Sequence, residues 1–246
     1  MKIIISPAKK MNVKYNDFQP ETTPVFLEKT EELMKWIQGL SIEEKKQLWK
    51  CNDNLLSLNV ERFQNMDLHK CLTPAIYSYE GIQYQYMAPH VMETDSLDYI
   101  RNHLKILTAF YGVLSPFDGV VPYRLEMQAK LKGTPDLYKF WSDDIYKEIT
   151  KDDSVILNLA SKEYSKAVEP YLKPEDIFVT CVFGEMVGGK VVQKGTMAKM
   201  ARGEMVNYLA SIQAKTPEEA KSFNRLDYNF CQDLSTDKEY VFIKTH

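Results

Sequence analysis

Two short runs of almost unbroken apolar residues, Ile3-Ile4-Ile5 and Val155-Ile156-Leu157-Asn158-Leu159, constrain the fold of this chain more than anything else in it. A strand with one wet face alternates apolar and polar residues. A continuous run has no wet face and needs helices or loops over both sides. Each run stops at small polar residues, Ser6-Pro7 in one case and Ala160-Ser161 in the other. Ile177 to Phe183 reads as a third buried strand, Val187-Gly188-Gly189-Lys190 as a hairpin turn, and Tyr240 to Ile243 as an edge strand. The expectation is an α/β (α+β) fold: a mixed central sheet of short buried strands, flanked by helices, in a single domain over residues 1–246.

The helices show themselves by period and cap. Phe26, Leu33, Trp36, Ile37 and Leu40 make one stripe closed near Gly39. Ser41 with Glu44 forms a capping box for a second helix. A third starts near Asn52 or Asn54 and carries Leu55, Leu58 and Phe63, so 41–63 reads as a helical hairpin. Its Lys45, Lys46, Lys50 and Arg62 suit either a grip on a nucleic-acid backbone or a solvated face. Ile76 to Tyr79 reads as a strand. Leu97, Ile100, Leu104, Leu107 and Phe110 predict a helix capped by Asp95 or Ser96 and ended by Gly112. Leu137 to about Ile149 predicts another, and Thr196 caps one over Ala198 to Ile212.

Between these elements lies Tyr111 to Met127, read as a long loop with polar groups held among apolar ones. Arg124 in such a setting needs an acceptor, which Asp118, Glu126 or an anionic ligand supplies. If the two apolar strands are parallel neighbours, their polar ends share one rim, where α/β folds bind ligands. Ser6, Asn158 and Ser161 then converge, Lys9 and Arg124 reach them, and Tyr111 and Tyr164 complete an anion pocket. The tyrosines Tyr77, Tyr79, Tyr84 and Tyr86 suit packing or base stacking.

Net charge is −3, which excludes coating nucleic acid by bulk charge. Yet Met1 to Asn16 holds Lys2, Lys9, Lys10 and Lys14 without an acid, and Met186 to Gly203 holds Lys190, Lys194, Lys199 and Arg202 without one. Side by side, they make an anion-binding face. Cys51, Cys71, Cys181 and Cys231 form no C-x-x-C pair, and His69, His90, His103 and His246 are scattered, so no metal and no cofactor are expected. No apolar run is long enough for a signal peptide or a membrane span, which predicts cytoplasmic residence, no membrane partner and, by default, a monomer.

Several blocks carry a resemblance: Ile3-Ile4-Ile5-Ser6-Pro7-Ala8-Lys9, Tyr111-Gly112-Val113-Leu114 with Pro116 and Asp118, and Pro122 to Met127. Leu137-Tyr138 with Phe140-Trp141, Asn158-Leu159-Ala160-Ser161 with Glu163-Tyr164, and Ala201-Arg202-Gly203 continue it in order. The chain resembles the peroxide stress protein YaaA family. The resemblance implies a cytoplasmic protein of the hydrogen peroxide response that limits free intracellular iron. It also implies an unusual α/β fold with a basic cleft and a helix-hairpin-helix that bind DNA. That hairpin would fall around Leu48 to Phe63, with Ser57 where the family can have a glycine. Two functions stay open. One is DNA binding, with Lys9, Lys10, Arg124, Lys199 and Arg202 on phosphates. The other is an enzyme acting on a nucleotide, nucleoside or base, of glycosidase or transferase type, with Glu126 or Asp118 as acid, base or charge stabiliser.

Overall fold

A computed structural model describes residues 1–131 and 136–245; His246 lies outside them. The β-branched run at the start forms strand β1 (Lys2–Ile5), with Ile3, Ile4 and Ile5 fully buried in the middle of the sheet. The other members of this sheet are β5 (Leu104–Thr108), β6 (Gly112–Leu114), β8 (Val155–Asn158), β9 (Ile177–Val187), β10 (Lys190–Val192), β11 (Tyr228–Phe230) and β12 (Glu239–Lys244). Two small ladders of four residues each pair β2 (Lys10–Met11) with β4 (Tyr79–Glu80) and β3 (Thr73–Pro74) with β7 (Gly119–Val120).

The strand order is β11-β12-β9-β8-β1-β5-β6, with β10 folded back on β9. From β12 to β5 the pairings are parallel, and β6, β10 and β11 are antiparallel additions. The mixed sheet of the expectation is therefore present. The helices are α1 (Leu27–Gly39), α2 (Ile42–Trp49), α3 (Asp53–Gln64), α4 (Ala75–Ser78), α5 (Ile82–Met87), α6 (Thr94–His103), α7 (Leu137–Trp141), α8 (Asp144–Ile149), α9 (Lys162–Ser165) and α10 (Gly195–Ser211). Among the described residues no helix is long and apolar enough to cross a membrane.

The capping box of Ser41 and Glu44 is present, and Asn52 caps α3 by accepting from the Leu55 N–H. Other local readings are corrected by tertiary pairing. The helix expected through Phe110 stops at His103, because Leu104 and Ile106 pair with Ile3 and Ile5 of β1. A three- and four-residue spacing of leucines fits a helix stripe, but burial on both faces favours a central strand. Gly112 does take a left-handed φ of 73°, in the turn between β5 and β6 and not as a helix cap.

Ile76 to Tyr79 is mostly a helical turn, α4, held by backbone bonds from Ala75 to Asp118 and from Ile76 to Pro116. Tyr111 to Met127 is no long loop, since β6 and β7 are built from it. The helix over 137–149 breaks at Ser142, whose φ is 47°. Neither Asp95, Ser96 nor Thr196 is a cap: α6 and α10 start after Glu93 and Lys194 with no side-chain capping bond. The strand at Tyr240 to Ile243 is internal, flanked by β9 and β11.

Gly112 shows how tightly the β5–β6 turn is packed. A Cβ there would lie 2.8 Å from the Trp141 ring, whose indole N–H donates to the Ala109 carbonyl at 2.9 Å. Gly112→Ala adds left-handed strain to overpacking, and should cost about 2–4 kcal/mol in chemical denaturation. A loss below about 0.5 kcal/mol, the size of an ordinary surface substitution, would contradict this packing.

A basic cleft at the carboxyl ends of the central strands

Parallel pairing of β1 with β8 brings their polar ends together, as the sequence predicted. The Leu159 N–H donates to the Ile4 carbonyl, continuing the ladder one step past the strand. The Ser161 N–H then donates to Ser6 Oγ at 2.8 Å, and the two hydroxyls lie 3.2 Å apart. The Tyr84 hydroxyl donates to the Ser6 carbonyl at 3.0 Å, tying α5 to the same point. Above this seam opens a cavity of about 400 Å³.

Five segments wall it, one of them the stretch after β8 with Ser161, Glu163 and Tyr164. The stretch after β1 contributes Lys9 and Lys10, both exposed, and the segment 122–127 contributes Tyr123, Arg124 and Glu126. From α5 come Gln83 and Tyr84, and from α10 Lys199 and Arg202. Five cations against three carboxylates, Glu80, Glu126 and Glu163, line this cavity of an otherwise acidic chain. The two acid-free basic stretches of the sequence do meet here.

The cations differ in how they are satisfied. Glu126 bridges two of them, one oxygen 3.2 Å from Arg124 Nη2 and the other 2.8 Å from Lys9 Nζ. Arg124 also donates weakly from Nε to the Trp49 carbonyl, at 3.4 Å. Lys10 pairs with Glu80 at 2.8 Å, and that bond holds the Glu80 carboxyl below its ordinary range.

Arg202 has no such partner. Among the described residues no acceptor or carboxylate meets its guanidinium, and its Nε is buried and unsatisfied. Burial lowers its pKa. A second buried donor, Gln83 Nε2, is likewise unsatisfied. The two residues are held close by a tight helix crossing: a Cβ on Gly203 would fall 2.1 Å from the Gln83 carbonyl oxygen. Only glycine permits that approach.

Buried tyrosines form the back of the cleft. Tyr79 and Tyr123 share a hydroxyl–hydroxyl bond of 2.8 Å, and burial pushes the Tyr123 phenol up to about 12. Tyr164 lines the cavity as expected, and burial raises its pKa well above the ordinary value. These phenols stay neutral donors near neutral pH.

Three expected site residues lie behind the wall. Tyr111 is buried and its hydroxyl accepts from the Val121 N–H. Asn158 is spent on the turn after β8, accepting from the Ala160 N–H and donating to the Thr180 hydroxyl. Asp118 accepts from the Thr22 hydroxyl at 2.6 Å and from the Ser115 N–H at 2.7 Å. Burial raises its pKa, partly offset by those two bonds. Of the candidate acids, only Glu126 faces the cavity.

The helical hairpin α2–α3 is real, but Ser57 sits in the middle of α3 and not in its turn. The turn residue is Lys50, with φ of 44°. The first turn of α3 carries Asp53, which pairs with Lys46, and Asn52 already occupies a free N–H. An acid and a filled cap suit a phosphate poorly. The hairpin instead braces the cleft, through Trp49 to Arg124 and through Arg62 to the Met11 carbonyl. Sequence reasoning missed Glu80, Gln83 and Glu163 as lining residues. Gln83 carries no local signal at all. Among the described residues no group of three or more His, Cys, Asp or Glu is placed to hold a metal ion.

Residues 1–234 match the family described as Peroxide stress protein YaaA. A UPF0246 protein of Desulfitobacterium hafniense is 54% identical over 246 residues, covering 99% of this chain and 98% of its own. A UPF0246 protein of Agathobacter rectalis is 52% identical over 244 residues, covering 98% of each chain. One from Pediococcus pentosaceus is 54% identical over 246 residues, covering 99% of this chain and 98% of its own. The chain belongs to the peroxide stress protein YaaA family.

The geometry of Asp118 separates a structural from a chemical role. Asp118→Ala strands the Thr22 hydroxyl and the Ser115 N–H, and should cost about 2–4 kcal/mol in chemical denaturation. Ligand affinity of the folded fraction should stay within about twofold, since distant sites act independently. A large loss of affinity at full stability would place Asp118 in the site after all.

Proposed function

We propose that this member of the peroxide stress family works in the cytoplasm as a DNA-binding protein that holds phosphates in the basic cleft. The observation that supports this most is Arg202. Arg202 is half-buried and its Nε is sealed from water without an acceptor, a desolvated donor that costs about 1–3 kcal/mol while it stays unpaired. Such a cost is sustained where an anion completes the site. Exposed Lys9, Lys10 and Lys199 line the same cavity, and phosphates neutralised there release counterions.

Limiting free intracellular iron is, in this reading, an indirect effect of what the cleft binds. The donor sets described above offer no metal cage. Glu126 supports a second reading, an enzyme acting on a nucleotide, nucleoside or base. Its carboxylate lines the cavity between Lys9 and Arg124, placed to stabilise positive charge in a substrate.

Two substitutions test these readings. Arg202→Met should weaken binding of a short DNA duplex or single strand about tenfold or more, measured by anisotropy at low salt. It should also raise Tm by about 2–4 °C, because a buried unpaired donor is removed. Unchanged affinity, or binding indifferent to salt in the parent chain, defeats the DNA reading. Glu126→Gln frees Lys9 and Arg124, and should tighten DNA binding about 2–10-fold if the carboxylate only competes with phosphate. In the enzymatic reading the same change abolishes turnover and leaves affinity unimproved.

A further inference from the structure

The cavity is larger and less polar than a phosphate needs. Its volume is about 400 Å³, and Pro7, Ala8, Ile82 and Leu125 stand in its walls beside the rings of Tyr84 and Tyr123. A flat group with apolar faces and a polar edge fits such a space. The cations also divide. Lys9 and Arg124 gather around Glu126, within reach of the segment that starts at Ser6, whereas Arg202 and Gln83 belong to the α5–α10 crossing.

At that crossing two donors lack acceptors, Gln83 Nε2 and Arg202 Nε. Gln83 is 6% exposed and still lines the cavity, so its amide has been taken out of water without a protein partner. A buried donor left unmade is expensive, and two of them on crossing helices that line one cavity specify the chemistry of whatever completes them. They call for two adjacent acceptors.

We infer that the Gln83–Arg202 corner reads the edge of one unstacked nucleobase, of the kind that presents two neighbouring acceptors: guanine through O6 and N7, or cytosine through N3 and O2. This rests on the phosphate-binding reading of the same cleft and adds a base subsite to it. Adenine offers N7 or N1 beside an amino donor, and thymine alternates acceptor and N–H donor along its edge. Either would set a donor against Gln83 or Arg202 and leave a buried group unpaired. The bidentate pairing of an amide or guanidinium with two base atoms is the geometry by which side chains discriminate bases. Burying a single base requires it to leave its stack, which a single strand or a damaged pair permits at least cost.

The test is calorimetric titration of the full chain with dGMP, dCMP, dAMP, dTMP and deoxyribose 5-phosphate. Either dGMP or dCMP should bind about tenfold tighter than dAMP and dTMP, and which of the two leads identifies the base. The sugar phosphate, lacking a base, should bind more weakly than any of the four. In Gln83→Leu the preference should shrink below about threefold while sugar-phosphate affinity is kept, because only the reading donor is gone. Should that variant fail to fold, the ranking in the parent chain decides alone. Equal affinities for the four nucleotides and the sugar phosphate, or a preference for dAMP or dTMP, overturn the base subsite and leave phosphate binding standing. Binding of a DNA oligonucleotide without any measurable mononucleotide preference does the same. Failure to bind either the oligonucleotide or any phosphate ligand would instead remove the reading on which the inference stands.

Discussion

The parallel seam between β1 and β8 is the constraint from which the rest of the molecule follows. It aligns Ile3 with Leu157 and Ile4 with Asn158, so both strands end at the same height. Once they do, the Ser161 N–H and the Ser6 hydroxyl must meet, and the chain leaving each strand turns outward over the rim. A shift of one residue in this register would turn every side chain to the opposite face. It would also break the bond between the Ser161 N–H and the Ser6 hydroxyl. Because both faces of these strands are buried, their apolar pattern alone does not fix the register; the bonds at the polar ends, Leu159 N–H to the Ile4 carbonyl and Ser161 N–H to the Ser6 hydroxyl, do.

On this floor the protein arranges charge unevenly. The chain carries net −3, yet its cavity gathers cations from residues that lie almost two hundred positions apart. Part of this charge is already answered: Glu126 holds Lys9 and Arg124, and Glu80 holds Lys10. Arg202 is not answered, and Gln83 beside it is not either. The contrast between a satisfied half and an unsatisfied half is what distinguishes a binding cleft from an internal ion-pair network. Trp49 Nε1 and Asn59 Oδ1 in the α2–α3 hairpin are unpaired too, so what marks Gln83 and Arg202 is that they line the cavity. Here the tight α5–α10 crossing at Gly203 keeps both open donors in place.

The hairpin α2–α3 illustrates how a motif can be kept for a different purpose from the one its outline suggests. Its turn is filled by Lys50 and Asn52, and its second helix begins with an acid. The carbonyl of Trp49 nevertheless receives Arg124, and Arg62 reaches the backbone of Met11 in the segment that carries Lys9 and Lys10. The helices thus position the cleft from behind. The family match over residues 1–234 takes in both the cleft and its brace.

The strands β1, β8 and β9, the capping box of Ser41 and the meeting of Ser6, Ser161, Lys9 and Arg124 were legible in the residues because each follows from local pattern plus one rule of parallel sheets. The end of α6, the helical turn at Ala75–Ser78 and the break at Ser142 were not, because pairing with distant strands overrode local preference there. Asp118, Asn158 and Tyr111 had the right chemistry for a site and were spent on turns and backbone groups instead. Gln83 carried no signal, since an amide becomes significant only when folding removes its water and withholds a partner. By itself, then, the sequence determined that β1 and β8 are buried on both faces and where their polar ends fall, because apolar surface must leave water. Only the tertiary structure decided which polar groups are satisfied and which remain open, because that depends on partners brought from far along the chain.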